Sequence, residues 1–172
     1  MASSPLPGDS EMLLQSSAMF TNSSATYGNT AYYDTSNSNT DYSFAAGLGF
    51  GLANDFEAGF SIGYGRLSAE DCFLNSCTSQ TIDDRQWSLF IRHNFTSSFG
   101  DSNYAFSGIE VSVVYPESTF GRITMLRPYV GYRFDLPQNW ALELQVGAAQ
   151  VVAGTAEVTS GYEARLGLAI PF

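Results

Sequence analysis

The chain has 172 residues, of which 44% are hydrophobic, 15% aromatic and only 14% charged. Its basic residues are seven arginines without a single lysine, against seventeen acidic residues, and the formal net charge is -10. Nucleic-acid binding needs clustered cations, so this composition excludes nucleic acid as a partner. The aromatic content argues against intrinsic disorder, and no apolar run approaches the roughly 18 residues of a membrane-spanning helix.

Segments of about ten residues alternate between large apolar residues on one parity and Gly, Ser or charged residues on the other. A period of two residues indicates β-strands. The strand around Phe44 and the strand around Phe60 are separated by an Asn-Asp turn, which predicts a hairpin. Seven such strands follow one another from residue 41 onward. A weaker alternation from Met12 to Phe20 predicts an eighth strand.

The connections between these strands alternate in length. External loops are predicted near 21–40, 67–84, 116–121 and 151–160, and tight turns join the strands at the other end. Transmembrane barrels with short periplasmic turns and longer external loops show this asymmetry. We therefore predict an N-terminal tail over 1–10 and, over 11–172, a single all-β domain: an eight-stranded, antiparallel, up-and-down transmembrane β-barrel.

The alternative is a soluble barrel of the lipocalin or avidin kind, in which the large apolar face forms the core. The composition of the other face opposes this alternative, because it consists of Gly, Ala and Ser with isolated charges of both signs. A solvated face is rich in Lys, Glu, Thr and Asp. The large apolar face is nearly free of charge and would aggregate in water. We predict that it faces lipid.

Aromatic residues on the apolar face fall at two heights once successive strands run in opposite directions. Two such girdles are typical of transmembrane barrels. At the loop ends of the strands, the predicted girdle residues are Phe44, Tyr64, Trp87, Tyr115 and Tyr162. At the turn ends, they are Phe56, Phe95, Phe134, Trp140 and Phe172.

Eight charged residues lie on the small-residue parity at membrane level. The interior of an eight-stranded barrel is only wide enough for side chains to fill, so opposite charges there must pair. We predict a salt-bridged plug in two parts: Glu57, Arg92, Arg133 and Glu143 nearer the turns, and Glu110, Arg127, Glu163 and Arg165 nearer the loops. A structural plug is favoured over an ion path, although glycines on the second and third predicted strands leave room for a narrow water-filled passage.

Two further features bear on chemistry. Cys72 and Cys77 are separated by Phe-Leu-Asn-Ser in a predicted external loop, which favours a small disulfide, because a metal site would need more Cys or His nearby. His93 is the only histidine, and no acid accompanies the neighbouring serines on its strand. We interpret it as an interfacial anchor and expect neither catalysis nor a cofactor.

The predicted loops carry two more candidates. The second loop contains four acidic residues, Glu70, Asp71, Asp83 and Asp84, and the first adds Asp34 and Asp41. We interpret them as solvated charges rather than a cation site, because no calcium-loop pattern is present. The first loop is rich in Ser, Thr, Asn and Gly and contains three tyrosines. This composition fits a flexible loop or a recognition surface.

The last predicted strand, from Tyr162 to the terminal Phe172, resembles the assembly signal of bacterial outer-membrane proteins. The run Arg-Pro-Tyr-Val-Gly-Tyr-Arg-Phe that begins at Arg127, with Trp-Ala-Leu after the next turn, resembles the small eight-stranded barrels of the OmpA/OmpX type. The resemblance covers about residues 41–172. It departs from that group in the Ser/Thr/Asn-rich first loop, the absence of Lys and the lack of a periplasmic domain after the barrel.

The resemblance implies a location in the outer membrane of a Gram-negative bacterium, surrounded by lipid or detergent. It also implies recognition of Phe172 by the barrel-assembly machinery. A shared activity is not implied, because such barrels include anchors, adhesins, small channels and enzymes. We expect a monomer that acts as a surface-exposed structural or binding protein and contacts an extracellular protein or surface ligand through its loops. A narrow channel is the alternative, and a lipid-modifying enzyme the third hypothesis.

Overall fold

The computed structural model describes residues 8–24, 36–52, 55–73, 76–95, 103–116, 122–153 and 160–172. Its strands are β1 (Ser10–Ser24), β2 (Ser36–Gly51), β3 (Phe56–Phe73), β4 (Ser76–Phe95), β5 (Tyr104–Pro116), β6 (Ile123–Asp135), β7 (Ala141–Ala153) and β8 (Ser160–Pro171). Each strand pairs antiparallel with the next, and β8 pairs with β1, so the sheet closes into a barrel. The predicted eight-stranded antiparallel barrel is confirmed, including its first strand.

Side chains along each strand point alternately out of the barrel and into it. Phe60, Leu89 and Leu144 are 41%, 69% and 46% exposed, whereas Glu57 and Glu143 are completely buried. A soluble barrel would bring the three apolar side chains together at its centre. The large apolar face instead points outward and the charged face inward, as the residue types predict.

Short turns mark one end of the barrel, which we call the turn end. Asp55, in the turn between β2 and β3, has a φ of 63°. A 3₁₀ segment, Pro137–Asn139, joins β6 to β7, and its Gln138 and Asn139 have φ of 74° and 62°. Asp and Asn adopt this left-handed conformation more readily than most residues. Within the described ranges, no helix has the length and apolar character needed to cross a membrane.

The opposite end, which we call the loop end, contains more regular structure than the sequence predicts. Strands β3 and β4 continue as a paired ribbon through the predicted loop 67–84, with Leu67 opposite Ile82 and Cys72 opposite Cys77. The β-branched residues Thr78, Thr81 and Ile82 favour an extended backbone. Once the two strands are in register, they continue to pair although the segment is polar.

The other predicted loops are also partly strand. β1 reaches Ser24 and β2 begins at Ser36, so only residues 25–35 of the first predicted loop lie outside the described residues. β7 ends at Ala153 and β8 begins at Ser160. Residues 117–121 and 154–159, within the third and fourth predicted loops, lie outside the described ranges, as do residues 1–7 of the predicted tail.

Candidate functional site: the charged interior and the outer surface

The interior near the turn end contains what we call the turn-end cluster: Glu11, Glu57, Arg92, Arg133 and Glu143. Arg92 lies at its centre and contacts a carboxylate with each of its three nitrogens. Its Nε donates to Glu57 Oε2, its Nη1 to Glu143 Oε2 and its Nη2 to Glu11 Oε1, each at 2.9 Å. The Arg92 side chain is only 1% exposed, so these bonds replace water almost completely.

Arg133 ties the turn-end cluster together from the other side. Its Nη1 lies 2.8 Å from Glu11 Oε2 and 3.3 Å from Glu143 Oε1. The cluster therefore joins β1, β3, β4, β6 and β7 across the barrel. Its three carboxylates face two guanidinium groups, and Glu57 Oε1 has no hydrogen-bond partner. One carboxylate is thus in excess within the cluster.

The interior near the loop end contains a second group, the loop-end cluster: Glu110, Arg127, Glu163 and Arg165. Arg165 donates from Nε to Glu163 Oε1 at 2.9 Å and from Nη2 to Glu110 Oε1 at 3.0 Å. Arg127 Nη1 donates to Glu110 Oε1 at 3.0 Å, and its Nε lies 3.5 Å from Glu163 Oε2. The two arginines and two glutamates balance in charge. Burying such charges is favourable only when they pair this closely.

Polar side chains extend the loop-end cluster. Gln86 accepts a hydrogen bond from Arg127 Nη2 at 3.3 Å and donates to Ser88 Oγ at 2.8 Å. Ser112 donates to Glu110 Oε1 at 2.8 Å. Gln86 and Ser88 share the inward parity of Arg92 on β4, as the alternation predicts, and Ser112 lies on the inward parity of β5; their hydrogen bonds to the cluster were not predicted.

The structure places all eight predicted interior charges inside the barrel, divided between the two ends as the strand directions indicate. Glu11 is the additional member, 3% exposed, at the start of β1. The sequence does not predict it, because the alternation in β1 is weak and the predicted strand begins at Met12. On the same inward parity, where Gln145 and Tyr129 are expected to add hydrogen bonds, Gln145 donates to Glu143 Oε2 at 3.3 Å. Tyr129, also expected to hydrogen-bond, packs edge-on against Phe106 with ring centroids 6.2 Å apart.

Two glycines on the inner face accommodate large side chains. An added Cβ at Gly59 would meet the ring of Phe90, and one at Gly131 would meet the ring of Phe106. The Phe106 ring in turn lies against Arg92, whose guanidinium carbon is 4.8 Å from the ring centroid. A cavity in the loop-end cluster measures about 10 Å³, which is the space for a single water molecule.

The outer surface carries the aromatic residues. All ten predicted girdle residues are exposed, from 37% for Phe134 to 77% for Tyr162. Phe44 lies directly opposite Tyr64 at the loop end, and Phe56 lies opposite His93 at the turn end. Phe56 and Tyr64 are eight residues apart, or about 20 Å along the barrel axis for a strand tilted by about 40°. With the rings included, this height matches the roughly 25 Å apolar band of an outer-membrane barrel.

Solved structures that are similar to this chain include three outer-membrane proteins. Outer membrane protein AlkL, solved in lipid bilayers, is similar with a TM-score of 0.61 and 15% identity over 100% of this chain and 93% of that one. Neisserial surface protein A has a TM-score of 0.61 and 12% identity, over 94% of this chain and 97% of that one. Ail of Yersinia pestis, solved in complex with the heparin analogue sucrose octasulfate, has a TM-score of 0.54 and 15% identity, over 97% of this chain and 100% of that one. The chain has the fold of the small eight-stranded outer-membrane β-barrels.

At the level of sequence, no protein-family model matches this outer-membrane-type barrel, and neither does any curated protein. Sequence identity to the three solved barrels is only 12–15%, so the similarity to them is one of architecture: strand number, closure and the outward apolar face. The resemblance drawn from the terminal strand and the Arg127–Phe134 region is confirmed as a likeness of fold.

His93 lies on the outer surface of the barrel at the turn end. Its ring packs edge-on between Phe56 and Phe95, with both ring centroids 4.8 Å away. This environment is that of an aromatic interface. The predicted outward position of His93 at the turn end is confirmed, and its role as an interfacial anchor stays a prediction.

The loop-end candidates are only partly described. The backbone register pairs Cys72 with Cys77, but their side chains, like those of Asp41, Glu70 and Asp71, lie outside the described residues, as do Asp34 and the three loop tyrosines. Asp83 pairs with Arg66 at 3.0 Å. Hydrogen bonds from Tyr64 and Arg66 hold the pKa of the Asp83 carboxyl below its usual value. In the part of the chain with described side chains, no three acidic, Cys or His residues are grouped as a metal site.

Proposed function

We propose that this protein is a bacterial outer-membrane barrel with a sealed interior, which acts at the cell surface through its loop end as a structural or binding protein. The observation that carries this proposal is the pair of charge clusters. They cross the barrel at two heights and consist of side chains with almost no exposure. We infer that a protein whose lumen is filled in this way acts through its surfaces.

The membrane location is supported by the outward apolar face and its two aromatic girdles. Leu89, Trp87 and Phe44 are each more than half exposed. A continuous band of such residues would drive aggregation in water but is stable against acyl chains. Phe172, 75% exposed at the end of the last strand, is the residue through which we propose recognition by the barrel-assembly machinery.

The binding role is supported by the ribbons that extend β1–β2 and β3–β4 at the loop end. Long paired strands can display a fixed surface far from the membrane. The net charge of -10 disfavours a polyanionic ligand, so we propose an extracellular protein with a neutral or basic surface as the partner. We propose no enzymatic activity and no cofactor, since His93 is enclosed by two phenylalanine rings.

Planar-bilayer recording tests the sealed interior. We expect the refolded full chain to insert without single-channel conductance, because an ion path would have to separate both clusters. A stable conducting state in the unmodified protein would contradict the proposal and establish the narrow channel. Conductance that appears only when Arg92→Ala and Arg127→Ala are combined would support the proposal, since it shows that the two clusters seal the lumen.

A second experiment tests the binding role. Vesicles carrying the full chain are screened against immobilised secreted proteins, alongside a variant in which the ribbon 67–82 is replaced by a two-residue turn. We expect binding to depend on that ribbon. The matched control inserts a segment as long as the removed ribbon between Gln138 and Asn139 at the turn end. This control should bind like the parent. Equal binding by all three proteins would refute a role for the ribbon.

A further inference from the structure

The arginines of this acidic chain are distributed unequally. Four of the seven lie in the interior clusters, and the other three are Arg66, Arg85 and Arg122. These three are all exposed and all lie at the loop end, on β3, on β4 and immediately before β6. Every cation on the outside of the barrel is therefore at one end.

The strand register places two of these arginines, Arg66 and Arg85, near the level of the loop-end aromatic girdle. Arg85 lies opposite Tyr64 on one side and Tyr115 on the other. Arg66 is one row further out, opposite Tyr42 and Asp83. Aromatic girdles mark the headgroup level of a bilayer. The guanidinium groups thus lie at headgroup height, where Arg66 pairs with Asp83 at 3.0 Å.

A groove in the apolar surface begins at Arg85. It has a volume of about 930 Å³, within the range of small-molecule sites, which is about 300–1,000 Å³. Its outward-facing lining includes Leu14, Phe44, Ala46, Ile62, Trp87 and Arg85. The register sets the small side chain of Ala46 between Leu14 and Ile62. The groove is therefore a depression among larger apolar side chains, with a cation at its outer end.

We propose that this face of the barrel binds a phosphorylated lipid of the outer leaflet. An acyl chain fills the groove, and the phosphate contacts Arg85 and Arg66. Guanidinium groups bind phosphate through paired, charge-assisted hydrogen bonds, and a lipid is the phosphate source that also supplies an apolar chain directly below. Arg66 shares its charge between the phosphate and Asp83. This inference rests on the membrane location proposed above and adds the chemistry of one bound lipid.

Trp87 lines the groove, and the second tryptophan, Trp140, lies at the turn end, so fluorescence quenching can test the site. The full chain with Trp140→Phe is refolded into phosphatidylcholine vesicles that contain a minor fraction of brominated phosphatidic acid. Parallel vesicles contain the same fraction of brominated phosphatidylcholine. We expect stronger quenching of Trp87 by the phosphatidic acid, with each arginine contributing about a fivefold preference.

Two variants and one competitor complete the test. Arg66→Gln with Arg85→Gln should remove most of the preference. Trp87→Phe, which leaves Trp140 as the reporter, should be quenched equally by both lipids. Inorganic phosphate in the buffer should not abolish the preference, and if it does, the site binds free phosphate and the lipid proposal is overturned. Equal quenching of Trp87 by both lipids overturns the site but not the membrane location. Absence of quenching by either lipid overturns both.

Discussion

Replacing Arg92 with methionine is expected to destabilise the barrel more than any other single change in the interior. Methionine keeps much of the side-chain length but removes the charge and all three hydrogen bonds to Glu11, Glu57 and Glu143. Removing one partner of a single buried ion pair costs about 3–5 kcal/mol. Here three carboxylates would remain with Arg133 as their only cation, so we expect a loss of about 5 kcal/mol in the free energy of unfolding.

The measurement is urea unfolding of the protein refolded in lipid vesicles, followed by tryptophan fluorescence and by heat-modifiable migration on gels. The double variant Arg92→Met with Glu57→Gln should lose less than the single variant, because one unpaired carboxylate is also removed. The matched control is Arg66→Met. Its ion pair with Asp83 involves a side chain that is 62% exposed, so the unfolding midpoint should not move.

Two results would refute this reasoning. An Arg92→Met variant that unfolds at the same urea concentration as the parent would show that the cluster contributes no stability. A double variant that is as unstable as the single one would show that Glu57 is not coupled to Arg92, contrary to the 2.9 Å hydrogen bond.

Three further predictions address other parts of the barrel. Glu57→Gln should destabilise the barrel less than Glu143→Gln. The Oε1 of Glu57 has no hydrogen-bond partner, whereas Glu143 contacts both arginines of the turn-end cluster. The urea midpoints of the two variants decide the order. Gly59→Ala should cost about 1–3 kcal/mol, because its Cβ would meet the ring of Phe90, and a neutral effect would disprove the tight packing. Non-reducing peptide mass mapping should find Cys72 joined to Cys77, and two free thiols in air-oxidised protein would contradict the pairing.

The outward and inward faces could be predicted from the sequence because alternation in a closed barrel leaves a residue only two choices. Leu89 and Arg92, for example, are three residues apart and so lie on opposite faces of β4; placing one outward and the other inward orients the whole strand. The division of the interior charges between two ends also followed, since strand direction and position along the strand determine height. These properties depend on one strand at a time.

Contacts across the lumen could not be predicted in the same way. Arg92 and Glu57 face each other on neighbouring strands, but Arg92 meets Glu143 through the interior, and that meeting depends on the stagger of all the strands between them. The ribbon formed by β3 and β4 was missed for a related reason. Its residues are polar and resemble a loop by composition, and only the register of the barrel shows that they remain paired.

The closure of β8 on β1 links the wall of the barrel to its contents. Phe172 N–H donates to Ser10 O at 3.1 Å at this seam, Glu11 beside it bonds Arg133 on β6, and Arg165 of β8 bonds Glu110 of β5. None of these long-range pairs can exist in an open sheet, which would present bare charges to hydrocarbon. We therefore expect closure of the cylinder and the loss of water from its interior ions to be coupled, because each depends on contacts that only the closed sheet provides.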